Sequence, residues 1–196
     1  PERRRSPVDR VPQVACVQMD GGRIQIRDRG VASSDEKSKG HWRETLVGCC
    51  LSMTSSEHPI DPCPTIPGIF VDPARMGELS REIKGFSRGE EDSAEAPEDP
   101  PEPRAARPKV LVRSVVATRQ GMDAFGKRLV AAAHARGFHA ARRKAFVADG
   151  GASNWSVHKK HFSHYTPVLD FTHAVCYVFA AAMAGRSFAE GWPEYC

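Results

Sequence analysis

No stretch of this 196-residue chain approaches the roughly 20 consecutive apolar residues that a membrane-spanning helix needs. The opening "PERRRSPVDR" also lacks the apolar core of a secretory signal. A soluble, cytoplasmic protein with no membrane partner is therefore expected. The six cysteines, at 16, 49, 50, 63, 176 and 196, form no C-x-x-C pair and no regular framework, which argues against a disulfide scaffold. Cys49 and Cys50 fall inside the apolar run "LVGCCLSM", where a reduced thiol serves as a small hydrophobe. His158, His161 and His164 suggest zinc by number, but they bring neither cysteine partners nor a second ligand pair. Basic residues are missing from Glu90 to Glu102, a stretch that holds seven acids. With those seven set aside, 28 basic residues face 17 acidic ones, a surplus of 11 that the formal net charge of +4 conceals. Such a surplus suits a polyanionic partner such as DNA; an ordinary solvated surface is the alternative.

What is present suffices for one sizeable core, with 40% of residues hydrophobic. Residues 1–13 read as a basic lead-in. "VACVQMD" reads as a strand, "GG" as a tight turn or bulge, and "RIQIR" as an alternating stretch. "HWRETLVGCCLSM" ends in a second strand, with Trp42 as packing, and prolines exclude regular structure from Thr54 to Pro67. A short helix over 73–84 follows from Asp72 as cap, Pro73 in the first turn and Gly85 as stop. Residues 86–108, rich in proline and acid, cannot offset ordering entropy by burial and are expected to be disordered. Beyond them, "KVLVRSVVAT" reads as a strand, and "GMDAFGKRLVAAAHARGF" as a helix with Met122, Phe125, Leu129 and Ala133 on one face and a stop at Gly137. A strand through "KAFVAD", a short helix through "SNWSVHKKHF", a strand in "YTPVLDF" and a largely buried helix, "THAVCYVFAAAMAG", complete the chain. The fold class expected is α/β, a ribonuclease H-like mixed sheet: three antiparallel strands, then alternating helices and parallel strands. The region 55–108 would be an insertion in a domain spanning 14–196.

Asp20 and Asp149 each close an apolar strand, and each is followed by two glycines. Glycine lets backbone or ligand approach closely, so a carboxylate there can face an open space. If the first and fourth strands are neighbours, the two carboxylates converge, and at about 5 Å they repel by roughly 3 kcal/mol at an effective dielectric near 20. A cation relieves that repulsion. Mg²⁺ (or Mn²⁺) suits hard oxygen ligands and keeps positions open for phosphate and water; two such ions serve phosphoryl transfer. The competing reading is that Asp-Gly-Gly makes a turn. "VLDFTHAV" places Asp170 and His173 three residues apart where a strand leads into a helix, either as an accessory acid and histidine or as a helix cap beside a partly buried histidine. Arg142, Arg143 and Lys144 before the fourth strand, and Lys159 and Lys160 near Trp155, are candidates for DNA binding. Solvated charge and a core tryptophan are the alternatives.

"VACVQMDGGRIQIR", "HWRETLVGCC", "FVDPARMGELSREIK", "RRKAFVADGGASNW" and "LDFTHAVCY" together resemble bacterial insertion-sequence transposases of the ISKra type. These belong to the DDE class, with a ribonuclease H-like core. The resemblance runs from about Val14 onward, except for the acidic insertion, and is carried by the paired Asp-Gly motifs and by Asp170-x-x-His173, which matches a C/D-x-x-H signature of several DDE groups. It implies metal-dependent DNA cleavage and strand transfer, with Asp20 and Asp149 as the first two metal-binding acids and Asp170 and His173 as accessory residues. Transposon-end and target DNA would be the partners, with a homo-oligomer forming on DNA. The third acid of that family, a glutamate on a later helix, has no good counterpart: Glu190 and Glu194 lie in "FAEGWPEYC", among helix breakers. The chain reads as a piece cut from a longer protein at both ends, lacking an N-terminal DNA-binding region and expected to be inactive alone. A non-catalytic DNA-binding remnant and a ribonuclease H-like nuclease are the rival readings.

Overall fold

The computed structural model describes residues 11–26, 41–62, 64–83, 108–184 and 191–196, with backbone alone at 22–26, 41–43 and 195. Most of the lead-in, residues 27–40, Glu190 and the residues up to 107 expected to be disordered lie outside these. The residues cluster into two compact units, one spanning Pro1–Thr54 with Lys109–Leu169 and the other Ser55–Pro108 with Asp170–Cys196.

The first unit is built on a five-stranded mixed sheet, β1 (Val14–Ile26), β2 (His41–Thr54), β3 (Lys109–Thr118), β4 (Arg143–Ala148) and β5 (Thr166–Leu169), in the order β3-β2-β1-β4-β5. β1, β2 and β3 pair antiparallel, whereas β4 runs parallel to both β1 and β5. The pairing of first and fourth strands is the one the element order predicts. One expectation fails at β1. Asp20, Gly21 and Gly22 neither turn nor end the strand, because β1 pairs continuously with β2 from Val14↔Met53 to Ile26↔His41, including Asp20↔Val47 and Gly22↔Thr45. An uninterrupted ladder of backbone hydrogen bonds outweighs the turn preference of two glycines.

The core of this unit takes alternate side chains of β1, namely Ala15, Val17 and Met19, with Phe146 and Ala148 of β4. Two helices supply the rest. α3 (Met122–Ala135) contributes Phe125, Leu129 and Ala133, the stripe its periodicity predicts, and α4 (Ala152–His161) contributes Val157. The stop of α3 is also as expected: Gly137 takes the left-handed conformation, φ 68°, and its N–H donates to the His134 carbonyl at 2.9 Å. α3 and α4 meet closely at Gly126, where an added Cβ would sit 2.8 Å from Cδ2 and 2.9 Å from Nε2 of His161.

The second unit holds α1 (Gly68–Val71), α2 (Pro73–Ile83), α5 (Phe171–Met183) and α6 (Trp192–Tyr195). Asp72 caps α2, its Oδ1 accepting from the N–H groups of Ala74 at 2.8 Å and Arg75 at 3.2 Å. Met76, Cys176, Phe179 and Trp192 form a small core, and the Trp192 indole N–H donates to the Phe70 carbonyl at 2.8 Å. The expectation of a largely buried α5 is corrected. Only Cys176 and Phe179 of this helix are buried, while Phe171, Tyr177 and Val178 are 55%, 61% and 45% exposed. Among the described residues no helix is long and apolar enough to cross a membrane.

Two glycines inside helices should respond oppositely to one change. Nothing lies within 4 Å of a Cβ added at Gly77 in α2, so Gly77→Ala should raise stability by about 0.5–1 kcal/mol through helix propensity. Gly126→Ala pushes a methyl into the His161 ring and should lower it by about 1–3 kcal/mol. Thermal denaturation of the two variants checks the pair.

Candidate metal centre

The last rungs between β1 and β4 are Gln18↔Val147 and Met19↔Ala148. One residue further along stand Asp20, still within β1, and Asp149, the first residue after β4. Met19 and Ala148 both enter the core; within β1 the alternation of the pleat turns Asp20 to the other face, whereas Asp149 lies past the last residue of β4 and bonds to Asn154 of α4. Asp20 is exposed and Asp149 half-buried. β4 ends at Ala148, one residue before Asp149, whereas β1 and β2 continue past Asp20.

The Asp149 carboxylate is held on one side. Its Oδ1 accepts from the Gly151 N–H at 3.1 Å and from the side-chain amide of Asn154, a residue of the first turn of α4 that is 6% exposed. These bonds form the Asx-type turn that Asp-Gly-Gly also suggested. Gly151 has an ordinary backbone, φ −64° and ψ 129°. Its glycine identity matters for space, since an added Cβ would lie 3.0 Å from Asp149 Oδ1. Asp20 Oδ1 accepts from the Gly21 N–H at 2.7 Å. Among the described residues the second oxygen of each acid accepts no hydrogen bond.

Asp170 and His173 come together in the second unit. Asp170 caps α5, its Oδ1 accepting from the N–H groups of Thr172 at 2.9 Å and His173 at 3.4 Å. The His173 Nδ1 lies 3.2 Å from Asp170 Oδ2, near enough for an ion pair but not aligned for a hydrogen bond. The capping reading thus describes Asp170 locally.

Arg142, Arg143 and Lys144 stand at the far end of β4 from Asp149. Arg142 is exposed just before β4, and Arg143 and Lys144 open the strand. At about 3.3 Å per residue, five residues separate Lys144 from Asp149 by roughly 16 Å. Lys160 is ion-paired to Asp123 of α3, which Lys127 also meets at 2.7 Å. Their hydrogen bonds hold the exposed Asp123 carboxyl down to about 2. Lys159 is exposed. Trp155 is half-buried against the core, 6.2 Å from the Phe146 ring and edge-on to His158 at 6.1 Å. Burial lowers the pKa of His161, with nearby Lys160 adding to the effect.

Thiols offer little to a metal here. Cys16, Cys49, Cys50, Cys176 and Cys196 are free. Burial pushes Cys16 up to about 11 and Cys50 up to about 12, each helped by neighbouring Cys49, so both stay protonated at neutral pH. Metal coordination needs the thiolate. Among the described residues no three His, Cys, Asp or Glu side chains gather at metal-binding distance. Two carboxylates fit Mg²⁺ in donor type, because that ion takes one or two protein carboxylates and completes its shell with water and substrate phosphate.

Comparison of the chain with protein-family models, curated proteins and solved structures finds no match. The functional reading therefore stands on the residues themselves. Asn154 is the member of this site that sequence reasoning missed. Its signal is faint, an Asn five residues after an Asp and just inside a helix, because only the helix turn brings the two side chains together.

Proposed function

We propose that this chain is part of a DDE transposase with a ribonuclease H-like core, acting by metal-dependent phosphoryl transfer on DNA. The observation that carries this reading is that Asp20 and Asp149 each follow by one residue the last rung, Met19↔Ala148, between the neighbouring parallel strands β1 and β4. The strand order β3-β2-β1-β4-β5, antiparallel on one side of β1 and parallel on the other, supports the same core. Asp20 and Asp149 would hold Mg²⁺ or Mn²⁺ through the oxygens not engaged with backbone or Asn154. Bound there, the ion would activate an attacking oxygen and stabilise a leaving one. The residues' own contribution would be placement: β1 and β4 would bring two charges together, and neighbouring N–H groups would orient them. Asp170 and His173 would be accessory, guiding a DNA strand or shaping the site.

A second reading, a DNA-binding remnant without chemistry, draws support from the capping roles. Asp149 holds the turn before α4 and Asp170 caps α5, which gives each a purpose without a metal. Full-length protein incubated with Mg²⁺ or Mn²⁺ and labelled transposon-end DNA separates the readings. Strand-transfer products are the expected result. Cleavage without joining points to a nuclease, and binding without cleavage to the remnant.

A further inference from the structure

Asn154 is 6% exposed, and a polar side chain buried that far must be paired, because leaving it unpaired costs about 1–3 kcal/mol. Its partner is Asp149 Oδ1. A carboxylate only accepts, so the Asn154 atom facing it is the NH₂ group rather than the carbonyl oxygen. The same oxygen takes the Gly151 N–H at 3.1 Å. Two donors from two directions converge on Oδ1, and among the described residues none reaches Oδ2. Gly151 permits this geometry, since any side chain there would begin 3.0 Å from Asp149 Oδ1 and 3.5 Å from Asn154 Nδ2.

From this arrangement we infer that Asn154 is a positioning residue. It clamps one oxygen of Asp149 so that the other is presented, singly and in a fixed orientation, to a divalent cation shared with Asp20. The inference rests on the metal reading of that pair. An exposed aspartate rotates about two bonds, and each binding event would then meet the cost of fixing it. Here the protein has fixed it in advance, through a helix turn packed against the core by Val157. Capping alone does not require Asn154, because the Gly151 N–H already satisfies the turn.

The test measures Mn²⁺ binding by the chain itself, by calorimetry or paramagnetic resonance, with melting temperature followed in parallel. Asn154→Ala should weaken Mn²⁺ binding about 10–100-fold, the range found when groups that orient metal ligands are removed. Gly151→Ala should weaken it similarly with Asn154 intact, since its methyl displaces the clamped oxygen. That variant keeps the inference testable should Asn154→Ala fail to fold. Asp149→Asn should remove the site. If the native chain and folded Asn154→Ala bind Mn²⁺ equally while Asp149→Asn does not, the positioning role is refuted and the metal site survives. Should the native chain bind no Mn²⁺, the metal reading falls and the inference falls with it.

Discussion

Asp149→Asn should lower divalent-cation affinity by at least about a hundredfold while leaving the protein folded and no less stable. A hundredfold corresponds to about 2.8 kcal/mol, less than the roughly 4 kcal/mol between two unit charges 4 Å apart at an effective dielectric of 20. The fold should survive because asparagine's Oδ1 can still accept from the Gly151 N–H and the Asn154 amide, the two bonds the native oxygen makes. Removing one charge also relieves its repulsion with Asp20, modestly, since Asp20 is exposed and screened. Asp149→Ala separates the two roles. It should lose the cation too, and in addition about 1–3 kcal/mol of stability, because the buried Asn154 amide is left without its partner. Cation titration together with thermal melts checks both variants. An Asp149→Asn protein that binds Mn²⁺ normally, or that unfolds, contradicts the assignment.

Phe146→Ala should cost about 3–5 kcal/mol, the usual loss for a large aromatic removed from a core. Phe146 is fully buried and meets the rings of Phe162 at 5.4 Å, His158 at 5.2 Å and Trp155 at 6.2 Å. It also lies on the strand that leads to Asp149, three residues before it. Against a typical total of about 5–15 kcal/mol, such a loss leaves the sheet unit marginal. Urea unfolding should show a much lower midpoint. Val115→Ala on β3, where the side chain is 62% exposed, should change stability by less than about 1 kcal/mol.

Much of this arrangement is legible in the sequence, for reasons that differ from element to element. α3 announces itself through Phe125, Leu129 and Ala133 at helical spacing and through Gly137, which takes the left-handed stop. β4 is legible as an apolar run broken by Asp149 and two glycines. The continuation of β1 through Gly21 and Gly22 is not, since the two glycines signal a turn locally and only pairing with Leu46 and Thr45 of β2 overrides it. α5 is legible as a helix but not in its burial. Its apolar residues surround the helix, and a single stripe through Cys176 and Phe179 finds a core. Asn154 escapes notice for a third reason. A hydrogen bond between a strand end and the following helix leaves no periodic trace.

The acidic pair itself was legible only through topology. Asp20 and Asp149 are far apart along the chain, and the proposal that they share a cation follows from β4 lying parallel to β1 rather than from either motif. The measurement that tests this most directly is the anomalous diffraction of manganese in crystals of the chain grown or soaked with Mn²⁺. A manganese peak within bonding distance of both Asp20 and Asp149 is the predicted result. Well-ordered carboxylates with no metal between them, or manganese bound only elsewhere, would contradict the account.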